Sequence, residues 1–232
     1  MRIAVTGATG HLGRRMVNAV VRDGHTVIPI GHTWDDHLDA DVLLHLAAPD
    51  YRDEDAVRGF SLLNERIEAW SHICGSPVIN TGTWWQYAGA EAKALAYTRM
   101  KADQQAMFAT TLILFSVYGD TARTGRGFIP QLLDHCRGDS TLTGASRQPR
   151  DWIHVDDVVA AYMAALGAGA GVYEVNTRIA WSPAELVALM TEETLPDYAE
   201  HPSCTPDYRY PWVPGWKPTT RVTTFLRATV AA

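Results

Sequence analysis

The stretch Arg2-Ile3-Ala4-Val5-Thr6-Gly7-Ala8-Thr9-Gly10-His11-Leu12-Gly13 decides how the chain is read. Arg2–Val5 reads as a short apolar strand, and from Arg14 onward Met16, Val17, Val20 and Val21 recur at helical spacing. A strand, a glycine-rich turn and a helix, in that order, open a dinucleotide-binding sheet. Gly7 permits the tight turn, Gly10 lets the backbone approach a pyrophosphate, and Gly13 lets the helix pack closely on the strand. The helix N-terminus then offers unpaired N–H groups and partial positive charge to the phosphates. A glycine triplet alone is a weak signal; the strand before it and the helix after it give it weight.

At 232 residues the chain can bury a substantial core as one domain, or as one domain with a small lobe. Hydrophobic residues at 47% and charged residues at 20% are ordinary for a soluble globular protein. A net charge of −6 argues against nucleic-acid binding and against an anionic membrane surface. No apolar run approaches the ~18 residues that a membrane helix needs. The first strand begins at once, so no signal peptide is expected and the expected location is cytoplasmic. Cys74, Cys136 and Cys204 are odd in number and widely spaced, which fits reduced thiols better than a disulfide framework or a zinc site.

Thr26–Ile30 reads as a second strand, with Pro29 suited to an edge or a strand end. An acidic residue closing this strand would bind the ribose hydroxyls of NAD. That position is Gly31, followed by His32 and Thr33. No carboxylate stands there to repel a 2′-phosphate, and Arg14, Arg15 and His32 could meet one, although Asp35 or Asp36 could reach back. The reading leans to NADP(H). His32-Thr33-Trp34-Asp35-Asp36-His37 holds metal-ligand residue types but lacks a third apolar-flanked ligand, so it reads as a solvated loop and no metal is expected.

Asp41–Ala48 follows as a strand apolar almost throughout, as a parallel strand covered on both faces should be. Residues 54–74 form a helix with Phe60, Leu63, Ile67 and Trp70 on one face and Asn64 among them. Pro77–Asn80 is a strand running into Thr81–Tyr87, residues 89–109 a helix, and Thr111–Phe115 a strand ending at Ser116–Gly119. Beyond residue 120, Phe128 begins a short helix and Ser140–Thr143 looks like a strand. Asp156 or Asp157 is expected to cap a helix through Leu166, Val172–Val175 to form a last strand, and Ser182-Pro183 to start a helix.

Tyr97 and Lys101 are four residues apart and share one helix face. A tyrosine with a pKa of about 10 is a poor base at neutral pH. A neighbouring ammonium stabilises the phenolate and lowers that value, as would the positive charge of a bound nicotinamide. Thr83, at the end of its strand, can hydrogen-bond a substrate oxygen. Together they make a proton relay suited to hydride transfer at a carbonyl carbon, with Tyr97 the acid in ketone reduction and the base in alcohol oxidation. A Tyr-x-x-x-Lys pair occurs often by chance on helices; the N-terminal glycine motif is what raises this one above a surface pair.

The whole pattern resembles the extended short-chain dehydrogenase/reductase family, the branch acting on nucleotide sugars. Thr6-Gly-x-x-Gly-x-x-Gly13, His45-Leu-Ala-Ala48, Thr83, Tyr97-x-x-x-Lys101, Tyr118-Gly119, Arg150-Asp151-Trp-Ile-His-Val-Asp156 and Gly215-Trp-Lys-Pro218 fall in family order along almost the whole chain. The resemblance implies an α/β fold: a Rossmann-type, doubly wound parallel sheet over residues 1–118 and a smaller substrate lobe over 119–232. Helix 156–167 and strand 172–176 would pack back on the Rossmann domain. It implies Thr83, Tyr97 and Lys101 as catalytic residues. It implies cofactor contacts from Gly7, Thr9, Gly10, His11, Leu12, Gly13, Arg14, His32, Leu46, Ala47, Ala48, Asn64, Tyr97 and Lys101. Asn64 would be the family's scaffolding asparagine, and Arg150 would grip a sugar-nucleotide diphosphate with its planar fork. A homodimer joined through helices 54–74 and 89–109 is also expected from the family.

Departures from the family pattern narrow the function. Its dehydratases carry Asp-Glu directly after the catalytic threonine; here Trp84-Trp85 stand there and cannot do acid–base work, which disfavours dehydratase and decarboxylase chemistry. Asn80–Gln86 resembles the subset reducing 4-keto-deoxyhexoses, with Trp84 and Trp85 as an apolar wall for a deoxygenated carbon, or as core packing. Ile113 replaces the usual arginine, and the Thr83–Tyr97 segment and the C-terminal lobe are short. A further strand and helix found in larger relatives between the second strand and Asp41–Ala48 must be missing or reduced to a loop. The expected activity is NADP(H)-dependent reduction of a nucleotide-linked 4-keto deoxysugar. The rivals are an NAD-dependent C4 epimerase and a non-catalytic cofactor-sensing protein.

Overall fold

The computed structural model describes residues 1–31, 38–87, 95–119, 127–197 and 206–231. Its main sheet is built from β1 (Arg2–Thr6), β2 (Thr26–Ile30), β3 (Val42–His45), β4 (Val78–Thr83), β5 (Thr110–Leu114) and β8 (Gly171–Val175). These six run in the order β2-β1-β3-β4-β5-β8, every neighbouring pair parallel. The order turns back at β1, the switch point at which doubly wound sheets bind ligands beyond their strand ends. Register aligns Thr6 with Ile30 on one side and His45 on the other, so the C-terminal ends of β1, β2 and β3 lie side by side, while His45 pairs with Asn80 and β4 runs on to Thr83. β2 and β8 are the edge strands among the described residues, and Pro29 sits on β2, where its missing N–H breaks no ladder.

Alternation along β1 shows why both faces are covered. Ile3 and Val5 join one core cluster with Met16, Val20, Leu44, Leu112 and Tyr162, beneath α1 (His11–Arg22) and α5 (Val155–Ala165). Ala4 faces the other way into a cluster with Leu43, Ile67, Trp70, Val78 and Phe108, beneath α2 (Glu54–Cys74). α3 (Leu95–Met107) packs on α2 and β4. The helix expected over 54–74 has those bounds, capped by Asp53 and ended by left-handed Gly75. Of the helix expected over 89–109, residues 89–94 lie outside the described part.

The rest gathers on a second sheet, β6 (Ser116–Tyr118), β7 (Arg150–His154) and β9 (Ala180–Trp181), with β6-β7 parallel and β7-β9 antiparallel. α4 (Phe128–Arg137), α6 (Pro183–Thr191) and α7 (Val222–Val230) cover it through Leu132, Leu133, Trp152, Leu186 and Leu226. α6 begins with a full capping box from Ser182 and Glu185. β8 hydrogen-bonds β5, and α5 packs on α1.

Two expectations fail here. Ser140–Thr143 is not a strand: this stretch has no ladder partner, and nearby backbone groups bond loops instead, Ala145 N–H to Pro196 O and Ala184 N–H to Ser146 O. Neither Asp156 nor Asp157 caps α5. β7 runs straight into the helix, so the last extended residue, His154, is the cap, its Nδ1 accepting from Asp156 N–H at 3.2 Å. Asp157 is buried and accepts instead from Thr219 N–H, the Thr219 hydroxyl and Thr220 N–H.

Candidate active site

At the end of β1 the turn is built as its glycines required. Gly7 has φ +67°, and a Cβ on it would lie 2.8 Å from Ala47 N. A Cβ on Gly13 would lie 2.0 Å from Gly7 O, so α1 presses onto the turn at a distance no side chain survives. Gly10 N–H closes the turn onto Gly7 O at 2.9 Å. Gly10 is also the N-cap of α1, has no side chain to satisfy the helix's first N–H groups, and is followed by no acidic residue in the first turn. A positive helix end, under a backbone stripped of Cβ and with no acidic side chain in its first turn, fits a dinucleotide pyrophosphate.

Around it stand the other expected cofactor contacts. Thr9 is exposed and its carbonyl accepts from Arg14 Nη1 at 2.7 Å; His11 and Leu12 are half-buried in the first turn. Leu46, Ala47 and Ala48 follow β3, with Ala47 N–H donating to Thr6 Oγ1 at 3.2 Å. Arg15, expected to help meet a 2′-phosphate, is instead tied to Asp156 on α5 at 2.7 Å. His32 lies outside the described residues.

α3 carries Tyr97 and Lys101 on one face, as their spacing required. Lys101 is 1% exposed. Its ammonium donates to Thr81 O at 2.8 Å and Gln104 Oε1 at 2.9 Å, and lies 5.9 Å from the centre of the Tyr97 ring. Burial lowers its pKa to about 7, since a charge there has lost water without gaining a carboxylate. The Tyr97 pKa moves against expectation: burial pushes it up to about 12. Lys101 does not offset this, because it spends two of its three donors on Thr81 and Gln104. Thr83 closes β4, half-buried, with Trp85 N–H near its hydroxyl at 3.4 Å.

Behind these residues runs a buried polar chain of which the sequence reading placed only Asn64 in the site. Thr6 Oγ1 and His45 Nδ1 are 2.7 Å apart, His45 Nε2 and Asn64 Oδ1 2.9 Å, and Gln104 Nε2 donates to Asn64 Oδ1 at 3.3 Å. Asn64, expected as a scaffold, is 1% exposed and joins His45 to Gln104. Burial drives the His45 pKa down to about 3, with Lys101 adding to the effect, so the ring is neutral. Its signal in the sequence was a histidine inside an otherwise apolar strand. That of Gln104 was its place one turn beyond Lys101.

The substrate side is aromatic. Trp84 is buried, stacked on Phe115 at 5.9 Å and packed with Ile113, so it belongs to the core rather than to an exposed wall. Trp85 is half-buried and meets Tyr51 edge-on at 5.5 Å; Tyr51 in turn lies 6.2 Å from Tyr97. Tyr51, on the loop after β3, was also missed, because a lone tyrosine in a polar loop carries no spacing. Arg150 is half-buried on β7 opposite Trp181, in the second sheet. Among the described residues no group of three or more His, Cys, Asp or Glu could hold a metal ion, and no helix is long and apolar enough to cross a membrane.

Residues 75–176 match the NAD dependent epimerase/dehydratase family. No curated protein matches the chain in sequence. Solved structures with this fold include the Bordetella bronchiseptica enzyme WbmG in complex with NAD and UDP, at TM-score 0.76 and 18% identity, covering 100% of this chain and 94% of that one. UDP-N-acetylglucosamine 4-epimerase from Bacillus cereus gives 0.78 and 17%, covering 100% and 98%. RMD from Pseudomonas aeruginosa complexed with NADPH gives 0.73 and 18%, covering 100% and 99%. Over residues 75–176 the chain is thus similar to the NAD dependent epimerase/dehydratase family, and along its length it has the fold of these solved structures.

Proposed function

We propose that the protein is an NADP(H)-dependent reductase of a 4-keto deoxysugar carried on a nucleotide. The observation that carries this reading is Tyr97 and Lys101 on one face of α3, the lysine bonded to β4 two residues before Thr83. Gly7, Thr9, Gly10, His11, Leu12, Gly13, Arg14, Leu46, Ala47 and Ala48 would hold the dinucleotide, with Lys101's third N–H left for its ribose. A bound nicotinamide supplies the hydride that reduces the carbonyl carbon. Thr83 donates a hydrogen bond to the carbonyl oxygen, and Tyr97, fully protonated at neutral pH with a pKa of about 12, delivers its phenolic proton to that oxygen as the alkoxide forms. Lys101 then faces the phenolate and favours it, before solvent returns the proton.

NADP(H) is supported by Gly31 where NAD-binding sheets place a carboxylate, and by likeness to a structure holding NADPH. Trp85 and Tyr51 offer a deoxygenated sugar carbon an apolar edge, and Arg150 would meet the diphosphate. A homodimer, a division at residues 118/119 and a cytoplasmic location belong to the same proposal. A second reading, C4 epimerisation with retained NAD, is favoured by likeness to a 4-epimerase and to an enzyme crystallised with NAD and UDP.

The test is NADPH oxidation against a panel of nucleotide-linked 4-keto-6-deoxyhexoses, beside the same assay with Tyr97→Phe. The reading expects stoichiometric NADPH loss, abolished by roughly 10²–10⁴-fold in the variant, as for loss of a general acid, while cofactor binding persists. Turnover surviving in Tyr97→Phe would show that another group is the acid.

A further inference from the structure

We propose that Gln104 and His45 are positioning residues for Lys101: two donor chains converge on Asn64 Oδ1 and fix where the ammonium points. This deepens the reading above and rests on Lys101 being the lysine of the proton relay.

The polarity of the network follows from its two ends. At one end Ala47 N–H can only donate, so Thr6 Oγ1 accepts it and turns its own hydrogen to His45 Nδ1. His45 Nδ1 is then a bare lone pair, and its Nε2–H donates to Asn64 Oδ1 at 2.9 Å. At the other end the Lys101 ammonium can only donate. Gln104 Oε1 accepts from it, which turns Gln104 Nε2 to the same Asn64 oxygen. The two directions agree without any forced group. Thr81 closes the frame: its carbonyl takes a second Lys101 hydrogen, and its hydroxyl donates to His45 O at 2.7 Å, which leaves the Tyr162 hydroxyl to donate to Thr81 Oγ1.

The consequence is mechanical and electrostatic. Thr6 precedes Gly7, and Ala47 is the residue on which Gly7 packs. The phosphate turn is therefore tied through buried side chains of β1, β3, α2 and α3 to the catalytic lysine. His45, Asn64, Lys101 and Gln104 are all at most 1% exposed, so each bond acts in a medium where a lost partner is costly. Lys101 has Gln104 and Thr81 O as its hydrogen-bond acceptors, both neutral, with the Phe60 ring 5.8 Å away on α2. The titratable groups joined to it are His45 on β3, Tyr97 on α3 and Tyr162 on α5. The histidine is held neutral by its low pKa and both phenols by their raised ones, so Lys101 is the member of this set that titrates near neutrality.

The sequence makes the test clean, because the chain has three lysines, Lys93, Lys101 and Lys217. Lysine ¹³Cε NMR of the full chain, free of substrate, follows each ammonium through a pH titration. The wild type should give one lysine with a midpoint near 7, absent in Lys101→Met. Gln104→Glu, equal in shape, should raise that midpoint by more than one pH unit, and Gln104→Leu should lower it or broaden the signal. In the wild type, imidazole ¹⁵N shifts should show His45 protonated on Nε2 and bare on Nδ1 from pH 5 to 9. A Lys101 midpoint unmoved by both Gln104 variants, or His45 as the Nδ1–H tautomer, would overturn the proposal. The histidine readout needs no variant to fold. Neither readout involves turnover, so failure here is distinct from failure of the ketone-reductase reading.

Discussion

His45 holds its ring where no water reaches it, and this makes one residue a pH limit on the whole fold. Unfolded, it takes a proton near 6.5; folded, near 3, because burial penalises the cation. Its contribution is complete above 6.5 and is lost as pH falls toward 3, to a limit of roughly 5 kcal/mol. Thermal midpoints of the wild type should therefore drop across that window, and His45→Gln, which cannot charge, should show a flatter acid limb from a lower start. Equal acid slopes in the two proteins would show that His45 does not titrate as its burial requires. Lys101 has the same sign at higher pH: folded near 7 against an ordinary 10.5, it adds stability as pH rises between those values. The candidate site residues were legible at this scale: Tyr97, Lys101 and Asn64 stand out by spacing and motif, and the structure sets Lys101 beside Tyr97 and links Asn64 to it through Gln104. Their environment was not. A sequence shows that Lys101 neighbours Tyr97, but not that its ammonium bonds Thr81 and Gln104, and so the direction of the Tyr97 shift was misread.

Elements test the account through their glycines. Gly13→Ala puts a methyl against Gly7 O and the Ala8 backbone, neither of which can move without opening the turn. It should abolish dinucleotide binding in a calorimetric titration and lower stability, by about 1–3 kcal/mol for an overpacked site. Gly59, exposed inside α2, has nothing within 4 Å of where a Cβ would sit. Gly59→Ala should raise stability by about 0.5–1 kcal/mol in urea unfolding, with binding unchanged. The two glycines differ in what surrounds them. Elements with strong local signals, β1, α2 with its Asp53 cap, α6 with its capping box, stood where the sequence put them, while α1 begins at His11 rather than at Arg14. The strand expected at Ser140–Thr143 did not, because strand character depends on a neighbour with a free edge, and there the nearby backbone had loops to bond instead. α7 went unread, as Val222–Val230 has threonines along it and no cap side chain at Arg221.

At the scale of the molecule, buried carboxylates hold the C-terminal segment to β8 and α5. Glu174 on β8 accepts from Arg209 N–H at 2.6 Å and from Asn176, whose Oδ1 takes the Trp212 indole; Asp157 accepts from Thr219 and Thr220. Asp157→Ala strands three donors and should cost about 3 kcal/mol, read as a lower urea midpoint. An unchanged midpoint would mean the segment is not held there. That chain-wide frame was legible as a family pattern, Gly215-Trp-Lys-Pro218 included, although the carboxylates that anchor it carry no motif of their own. What the frame serves is the cofactor turn, and the most direct measurement is calorimetric titration of the purified protein with NADPH and NADH, after assaying it for copurified nicotinamide. The account predicts protein free of nucleotide that binds NADPH at least tenfold more tightly, about 1.4 kcal/mol. Protein that arrives loaded with NAD would contradict the reductase and favour the epimerase, and binding of neither cofactor would contradict both.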